Sequence, residues 1–192
     1  AMVAAEVAMV DHMAEGRFLF GISPGGLLSD AEVFGNFDND RTEMFVEAIN
    51  HVLAIWEGEA PCNLKGKYWN ISTERTMIES LGQGFISKPY QRPHPPIVVT
   101  AVAPFSKGVT AAAERGWDPI SANFLQPQWV ASHWPRYLEG CEAVGREGLG
   151  LRLARRRRRR LVQLGLVRRR AAHLALQLVL GLQEAHRQGH AL

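Results

Sequence analysis

The chain has 192 residues, with 22 Lys and Arg against 19 Asp and Glu, so its formal net charge is +3. That length suits a single domain of ordinary size. Two distant cysteines, Cys62 and Cys141, exclude a disulfide framework. We therefore expect a protein of the reducing cytosol that carries neither a signal peptide nor a membrane-spanning segment.

The charge is divided unevenly between two parts of the chain. Residues 151–192 hold 11 Arg and one acidic residue, which leaves 11 basic and 18 acidic residues in 1–150. The same segment uses only eight residue types, and all eight have codons that begin with G or C. A GC-rich gene read in a shifted frame produces such a restricted alphabet. We therefore predict a partial enzyme domain over 1–146 and a basic, low-complexity, helical tail over 147–192 of frame-shifted origin.

A basic tail also suggests a second kind of protein. A run of six arginines, residues 155–160, is the electrostatic footprint of a nucleic-acid-binding arm. Such arms usually mix Lys, Ser and Pro with the arginines, and here no aromatic residues are interleaved for base stacking. The composition therefore disfavours nucleic acid as a partner, and a non-catalytic basic-tailed binding protein stays the alternative to an enzyme.

The first 58 residues predict helix, strand and helix in that order. Apolar residues at helical spacing predict a helix over 3–14, and a short apolar run predicts a buried strand over 18–22. Asp40 is the predicted N-cap of the next helix, and Glu43 three residues later completes a capping box. One apolar face then continues as far as Gly58, where we expect that helix to end.

The middle of the chain returns to the same alternation after a stretch over 59–95 that is predicted to be irregular, with short extended pieces such as residues 68–71. A strand is predicted over 96–101, a helix over 109–115, a strand over 118–123 and a helix over 128–144. Strands and helices that alternate with short connections predict an α/β fold with a parallel sheet and right-handed crossovers. An open doubly wound sheet and a closed barrel both fit, and both place ligands at the carboxyl ends of the strands.

Candidate binding residues therefore follow the predicted strands. Residues 23–26, Ser-Pro-Gly-Gly, follow the first strand, and residues 103–108 lead from the second strand into a helix. A helix N-terminus can hold a phosphate on its free N–H groups, to which Ser106 would add a hydroxyl and Lys107 a charge. The alternative is that Ser106 only caps the helix and Lys107 is solvated.

Other polar residues give weaker signals. Ser121 and Asn123 share one face at the end of the third strand, where they either bond a polar ring or simply begin a loop. The seven histidines show no metal-ligand spacing. Carboxylates that stand alone, such as Glu6 and Asp11, are predicted to be solvated.

An ordered series of short motifs resembles the bacterial luciferase-like flavin monooxygenases, and most of all their limonene or alkanal monooxygenase-like branch. The similarity covers about residues 1–146. The motifs are His-Met-Ala-Glu-Gly-Arg at 12–17, Phe-Gly-Ile-Ser-Pro-Gly-Gly at 20–26, Phe-Gly at 34–35, Leu-Ala-Ile-Trp at 53–56, Gly-Lys-Tyr-Trp at 66–69, Lys-Pro-Tyr-Gln at 88–91, His-Pro-Pro-Ile at 94–97, Ala-Glu-Arg-Gly-Trp at 113–117 and Pro-Ile-Ser-Ala-Asn-Phe at 119–124.

The resemblance implies a (β/α)₈ TIM barrel, of which this chain would be an incomplete fragment that begins in mid-domain and lacks the first three strands. It implies that reduced FMN, supplied by a separate reductase or by NAD(P)H, activates O₂ and oxygenates a small organic substrate. A deazaflavin-dependent oxidoreductase on the same barrel is the alternative. We expect the fragment alone to be inactive, with a flavin reductase and a second copy of the chain as candidate protein partners.

The resemblance also implies which residues bind the cofactor, although it assigns no catalytic residue. In the family the FMN phosphate lies at the turn after the strand here predicted over 96–101, and the turn at 23–26 approaches the flavin or its ribityl chain. Individual family members carry an arginine where this chain has Pro24 and a carboxylate near Val102. The cofactor-binding candidates are Ser23, Gly25, Thr100, Val102, Ala103, Ser106, Lys107, Gly108, Ser121 and Asn123.

Overall fold

The computed structural model of the chain describes residues 1–147. The chain divides into two compact units, Ala1–Val144 and Gly145–Leu192, and the predicted tail lies almost entirely outside the described residues. No helix among those residues is long and apolar enough to cross a membrane. The elements are α1 (Met2–Met13), β1 (Phe20–Ile22), α2 (Leu28–Val33), α3 (Arg41–Glu57), β2 (Asn63–Lys65), β3 (Asn70–Ser72), β4 (Ile97–Ala101), α4 (Lys107–Glu114), β5 (Asp118–Ser121), α5 (Pro127–Ala131) and α6 (His133–Ala143).

A parallel sheet of three strands, in the order β1-β4-β5, organises the first unit. Phe20 pairs with Ile97 and Ile22 with Val99, while Ala101 of β4 pairs with Ser121 of β5. The predicted parallel α/β fold is therefore confirmed. Because all three strands run in the same direction, the turns that follow Ile22, Ala101 and Ser121 lie along one edge of the sheet.

The core lies between the sheet and the helices α1 and α3. Trp56 is 2% exposed, and its indole Nε1 donates a hydrogen bond to the Ala4 carbonyl oxygen of α1 at 3.1 Å. The Phe20 ring packs against the Trp56 ring with 5.8 Å between centroids. Trp56 of α3 therefore contacts both α1 and β1. Burying one large aromatic side chain stabilises a fold by about 1.5–3 kcal/mol.

The predicted N-cap of α3 is confirmed, but only half of the capping box forms. Asp40 accepts hydrogen bonds from the backbone N–H groups of Thr42 and Glu43 at 2.9 and 3.0 Å. The Glu43 carboxylate instead accepts from Lys67 Nζ at 2.6 Å and from the Tyr68 hydroxyl at 2.7 Å. A charge-assisted bond to an ammonium group is stronger than a bond to a neutral amide, which accounts for the change of partner.

The stretch over 59–95 is not irregular throughout, because β2 and β3 pair as an antiparallel hairpin, and only β3 overlaps the short extended piece predicted over 68–71. The Glu47 carboxylate holds the connecting loop by accepting from the backbone N–H groups of Lys67, Tyr68 and Trp69 at 2.8, 3.0 and 2.8 Å. A loop fixed by a side chain of a preceding helix leaves no periodic signal in its own sequence, so the pattern was missed.

The prediction that Asp11 is solvated is also wrong. Its side chain is fully buried, and its carboxylate accepts from the backbone N–H of Gln91 at 2.7 Å and from Gln91 Nε2 at 2.8 Å. The same amide group of Gln91 donates to the Phe18 carbonyl oxygen at 2.9 Å. A buried carboxylate persists only when it is hydrogen-bonded, and the partner here comes from a distant loop.

The other differences concern short helices. The structure adds α2, a six-residue helix that the sequence pattern did not predict. The predicted helix over 128–144 is divided at Ser132 into α5 and α6. Helix α4 begins two residues earlier than predicted, at Lys107, which brings the turn after β4 directly to the first turn of that helix.

Candidate functional site

A cleft of about 310 Å³ opens at the edge of the sheet where the parallel strands end. The turn after β1, the end of β4 and the first turn of α4 line it, and α3 closes it from the side. Ligands of α/β proteins bind at this edge because the loops there can vary while the strands hold them in place. Six of the ten predicted residues line the cleft, namely Ser23, Gly25, Thr100, Val102, Ser106 and Gly108.

The first turn of α4 supplies hydrogen-bond donors to this cleft. Ser106 is the N-cap, and its side chain makes no capping hydrogen bond. The first N–H groups of a helix carry partial positive charge and generally have no partner within the helix. In α4 the N–H of Val109 donates to the Ser106 carbonyl oxygen at 3.1 Å, so the earlier N–H groups of the turn are the candidate donors. Gly108 has no side chain over them, and Lys107 is the exposed first residue of the helix. This arrangement of amide, hydroxyl and ammonium groups fits an oxyanion.

Ser121, at the end of β5, is held by a histidine that the sequence did not single out. Its hydroxyl lies 2.8 Å from His133 Nδ1, and the other ring nitrogen, Nε2, lies 2.7 Å from the Ala103 carbonyl oxygen. His133 therefore joins two predicted site residues that follow different strands. Asn123 lies in an exposed turn beyond β5 and does not line the cleft.

The residue before this histidine binds the same turn. Ser132 Oγ accepts the backbone N–H of Phe105 at 2.9 Å and donates to the Trp129 carbonyl oxygen at 2.6 Å. Phe105 has a positive φ of 52°, which is uncommon for a bulky residue and often marks a functional turn. Neither contact is visible in the sequence, because positions 105 and 132 belong to separate crossovers.

Arg115 was also missed, although it lies within a motif that carried the family resemblance. It lines the cleft, donates from a guanidinium nitrogen to Asn50 Oδ1 at 2.8 Å, and lies 5.0 Å above the Trp117 ring. Eight residues of helix separate Arg115 from Lys107, or about 12 Å at 1.5 Å per residue. The positive charge of Arg115 therefore lies at the far end of the cleft and not at the first turn of α4.

Metal-ligating side chains form no cluster among the described residues. Residues 1–147 contain no group of three or more His, Cys, Asp or Glu side chains placed to hold a metal ion. The arginine run over 155–160 lies outside the described residues. Within the described part, the cleft is lined by backbone groups, the hydroxyl groups of Ser23, Thr42, Thr100 and Ser106, apolar side chains and the basic side chain of Arg115.

The family of the chain follows from its sequence over almost its whole length. A family model described as luciferase-like monooxygenase matches residues 1–189. The chain belongs to this family. The match extends past residue 146, where the motif resemblance ends, and so overlaps the arginine-rich segment. A comparison with curated proteins gives no match.

Solved structures of other proteins have a fold similar to that of the luciferase-like chain. One is the FMN-bound oxygenating constituent of 3,6-diketocamphane monooxygenase from the CAM plasmid of Pseudomonas putida, a type II Baeyer-Villiger monooxygenase, with a TM-score of 0.66, 24% identity, and coverage of 76% of this chain and 40% of that chain. Monooxygenase RslO1 from Streptomyces bottropensis gives a TM-score of 0.59 at 21% identity, over 76% of this chain and 41% of that chain.

A third structure extends the range of cofactors found on this fold. An F420-dependent secondary alcohol dehydrogenase in complex with an F420-acetone adduct gives a TM-score of 0.59 at 23% identity, over 76% of this chain and 41% of that chain. The luciferase-like chain thus spans about two-fifths of the length of each of these structures. At these identities the likeness establishes the fold.

The donors at the first turn of α4 suit an anionic group. Ser106 there has a hydroxyl without a capping bond, and Gly108 places no side chain beside it. The turn of residues 23–26 lines the same cleft, and its glycines place no side chain between the backbone and a ribityl chain. The donor set therefore suits a phosphate with a polyol attached.

Proposed function

We propose that this luciferase-like chain is part of a flavin-dependent monooxygenase that binds reduced FMN in the cleft and oxygenates a small organic substrate with O₂. One observation carries the proposal. The turn after β1, the end of β4 and the first turn of α4 converge on one cleft that presents backbone N–H groups and a hydroxyl. This combination suits a phosphate, and membership of the luciferase-like monooxygenase family supports FMN as the molecule that carries it.

Several of the predicted residues then have a definite task. The N–H groups of the first turn of α4 and the Ser106 hydroxyl would bind the phosphate oxygens, and Lys107 would neutralise their charge. The turn at 23–26 would lie along the ribityl chain. Reduced FMN, when bound, supplies the electrons with which O₂ is activated, while the protein orients it and excludes water.

The remaining parts of the proposal concern partners and location. Reduced FMN would come from a separate flavin reductase or from reduction by NAD(P)H, and a second copy of the chain is a candidate partner. Neither Cys62 nor Cys141 forms a disulfide bond, which suits the reducing cytosol. Burial raises the pKa of the Cys62 thiol, so this thiol is poorly suited to redox chemistry.

A deazaflavin-dependent oxidoreductase is the second candidate. It is supported by the likeness in fold to an F420-dependent alcohol dehydrogenase. Both cofactors carry a phosphate on a ribityl chain, so the first turn of α4 would serve either of them. Titration of the chain with FMN and with F420 under the same conditions distinguishes the two, because the preferred ring system should bind more tightly.

The test of the proposed function compares FMN with riboflavin, which lacks only the phosphate. Flavin fluorescence titrations of the 192-residue chain should give weak binding, because the chain spans 40% of the length of the FMN-bound relative, but FMN should bind more tightly than riboflavin. Ser106→Ala should lower the affinity for FMN by about ten- to a hundredfold, since a hydrogen bond to a charged group contributes about 1.5–3 kcal/mol. Riboflavin affinity should not change.

Ser87→Ala is the matched control, because Ser87 is exposed and does not line the cleft. It should leave the binding of both flavins unchanged. Two outcomes would place the phosphate site elsewhere. The unaltered chain would bind FMN and riboflavin with equal affinity, or the Ser106→Ala variant would bind FMN as tightly as the unaltered chain does.

A further inference from the structure

We propose that Ser132 and His133, at the junction of α5 and α6, are positioning residues that hold the turn after β4 in the conformation that receives a phosphate. This turn comprises residues 102–106. The identity of the ligand rests on the function proposed above, whereas the positioning of the turn is a property of the chain alone. Neither residue lines the cleft, so their effect on a ligand would pass through the turn.

His133 contacts the turn from below the cleft. Its side chain is 4% exposed, and its Nε2 lies 2.7 Å from the Ala103 carbonyl oxygen. Because a carbonyl oxygen only accepts, Nε2 must carry the proton. In the neutral ring Nδ1 is then an acceptor, and the Ser121 hydroxyl at 2.8 Å donates to it. The contacts thus fix one tautomer and tie the end of β5 to the turn after β4.

Ser132 holds the same turn two residues further along. Its hydroxyl oxygen accepts the Phe105 N–H at 2.9 Å, while its own proton is directed to the Trp129 carbonyl oxygen at 2.6 Å. The hydroxyl orientation is therefore set by α5, and its lone pairs face Phe105. Phe105 has a φ of 52°, a left-handed conformation that bulky residues adopt only when the surroundings require it.

The two contacts together determine where α4 begins. Ala103 and Phe105 are held by adjacent residues on one rigid helix junction, and Ser106 follows at once as the N-cap of α4. The direction of the first amides of α4 and of the Ser106 hydroxyl then depends on the Phe105 conformation. A phosphate site needs such fixed donors, because a donor that must reorder on binding contributes less to affinity.

The first experiment measures the turn without any ligand. Backbone amide hydrogen exchange, followed by NMR on the 192-residue chain, should show the Phe105 N–H protected. Ser132→Ala removes its acceptor and should speed that exchange about tenfold, the effect of one lost hydrogen bond, while amides of β4 keep their rates. Ser132→Thr keeps the hydroxyl and should restore the protection. Unchanged exchange of Phe105 in Ser132→Ala would overturn the proposal.

The histidine is tested without a mutation, because replacing a buried ring can unfold the chain. The ¹⁵N shifts of the His133 ring should show a single neutral tautomer with the proton on Nε2. A neutral ring with its proton on Nδ1 and none on Nε2, or an averaged mixture of both tautomers, would show that the ring makes no fixed hydrogen bond to Ala103 and would overturn the role of His133.

The last measurement separates positioning from general stability. Ser132→Ala should weaken FMN binding several-fold and leave riboflavin binding unchanged, with Ser132→Thr restoring FMN affinity, whereas a general loss of structure would weaken both flavins equally. Equal weakening of both therefore counts against the proposal. If the unaltered chain itself fails to distinguish FMN from riboflavin, the proposed function fails, and the Phe105 exchange rates still decide whether Ser132 positions the turn.

Discussion

The carboxylate of Asp11 joins the end of α1 to a loop 80 residues further along the chain. It receives two hydrogen bonds from Gln91, and the Asp11 carbonyl oxygen accepts the Gly16 N–H at 3.2 Å. Gly16 has a φ of 77°, and a Cβ at this position would lie 3.2 Å from the Tyr90 ring. One short segment therefore combines a buried anion, a left-handed glycine and a close contact with the same loop.

We predict that Asp11→Ala lowers the free energy of unfolding by about 2–4 kcal/mol, because it removes two bonds to a charged acceptor and leaves two buried donors of Gln91 unpaired. Urea denaturation followed by fluorescence measures the change. Glu6→Ala on the same helix is the control, since Glu6 is exposed, and it should alter the free energy by less than about 0.5 kcal/mol. Similar losses in both variants would contradict the role given to Asp11.

Helix α3 holds the β2–β3 hairpin through two carboxylates that lie one turn apart. Hydrogen bonds from Lys67 and then Tyr68 lower the pKa of Glu43, and the same contacts raise the pKa of Lys67. Burial by itself would raise the pKa of Glu47, but the N–H groups of Trp69, Tyr68 and Lys67 outweigh it, and the net pKa is lowered. The hairpin loop therefore binds the ionised carboxylates in preference to the neutral acids.

The sign of the resulting pH dependence follows from these lowered pKa values. A carboxylate whose pKa is lower in the folded state contributes stability above its unfolded pKa and loses it as the pH falls through the folded value. We predict that the amide NMR signals of residues 67–69 shift together as the pH falls below about 4.5, the ordinary Glu value, because the folded pKa of Glu47 is lowered from it. In Glu47→Gln, which cannot ionise, that shared shift should disappear.

Glu57→Gln provides the control for this titration, because Glu57 is exposed at the end of the same helix. It should leave the shifts of residues 67–69 as they are in the unaltered chain. Titration of these amides that persists in Glu47→Gln would assign the effect to Glu43 or His51.

At the scale of the whole molecule, two observations bear on the arginine-rich segment. The family match reaches residue 189, whereas the eight-letter composition sets residues 151–192 apart from the rest. Six adjacent arginines repel one another, and the described part of the chain ends at residue 147. The division at residue 146 and the frame-shifted origin of the tail both stay predictions.

The coding DNA tests these predictions directly. In the proposed frameshift, the reading frame of the tail is displaced from the original frame. The second base of each codon as now read was then the first base of a codon in the original frame. The run 155–160 would then report six original codons beginning with G, which encode only Val, Ala, Asp, Glu or Gly. Translation in the alternative frame from about codon 147 should give a strand and helix pattern of barrel type. Stop codons in that frame would exclude the frameshift and leave the basic segment to be explained by a binding function.

The sequence by itself determined the parallel α/β fold and the helix α3 with its Asp40 cap, and it pointed to the turns after β1 and β4, which line the candidate cleft. These features depend on short-range signals, because periodicity, capping and glycine turns are read within a few residues. They also led to Ser23, Gly25, Thr100, Val102, Ser106 and Gly108, which the structure brings to one cleft.

Only the tertiary structure decided which distant groups meet. Asp11 is buried against Gln91, Glu47 holds the hairpin loop, and His133 joins Ser121 to Ala103. Each of these contacts depends on how helices pack over the sheet, and a polar residue has the same appearance in a sequence whether its partner is water or a buried donor. The energy of a buried polar group is set by that partner, so such residues could not be predicted before the chain was folded.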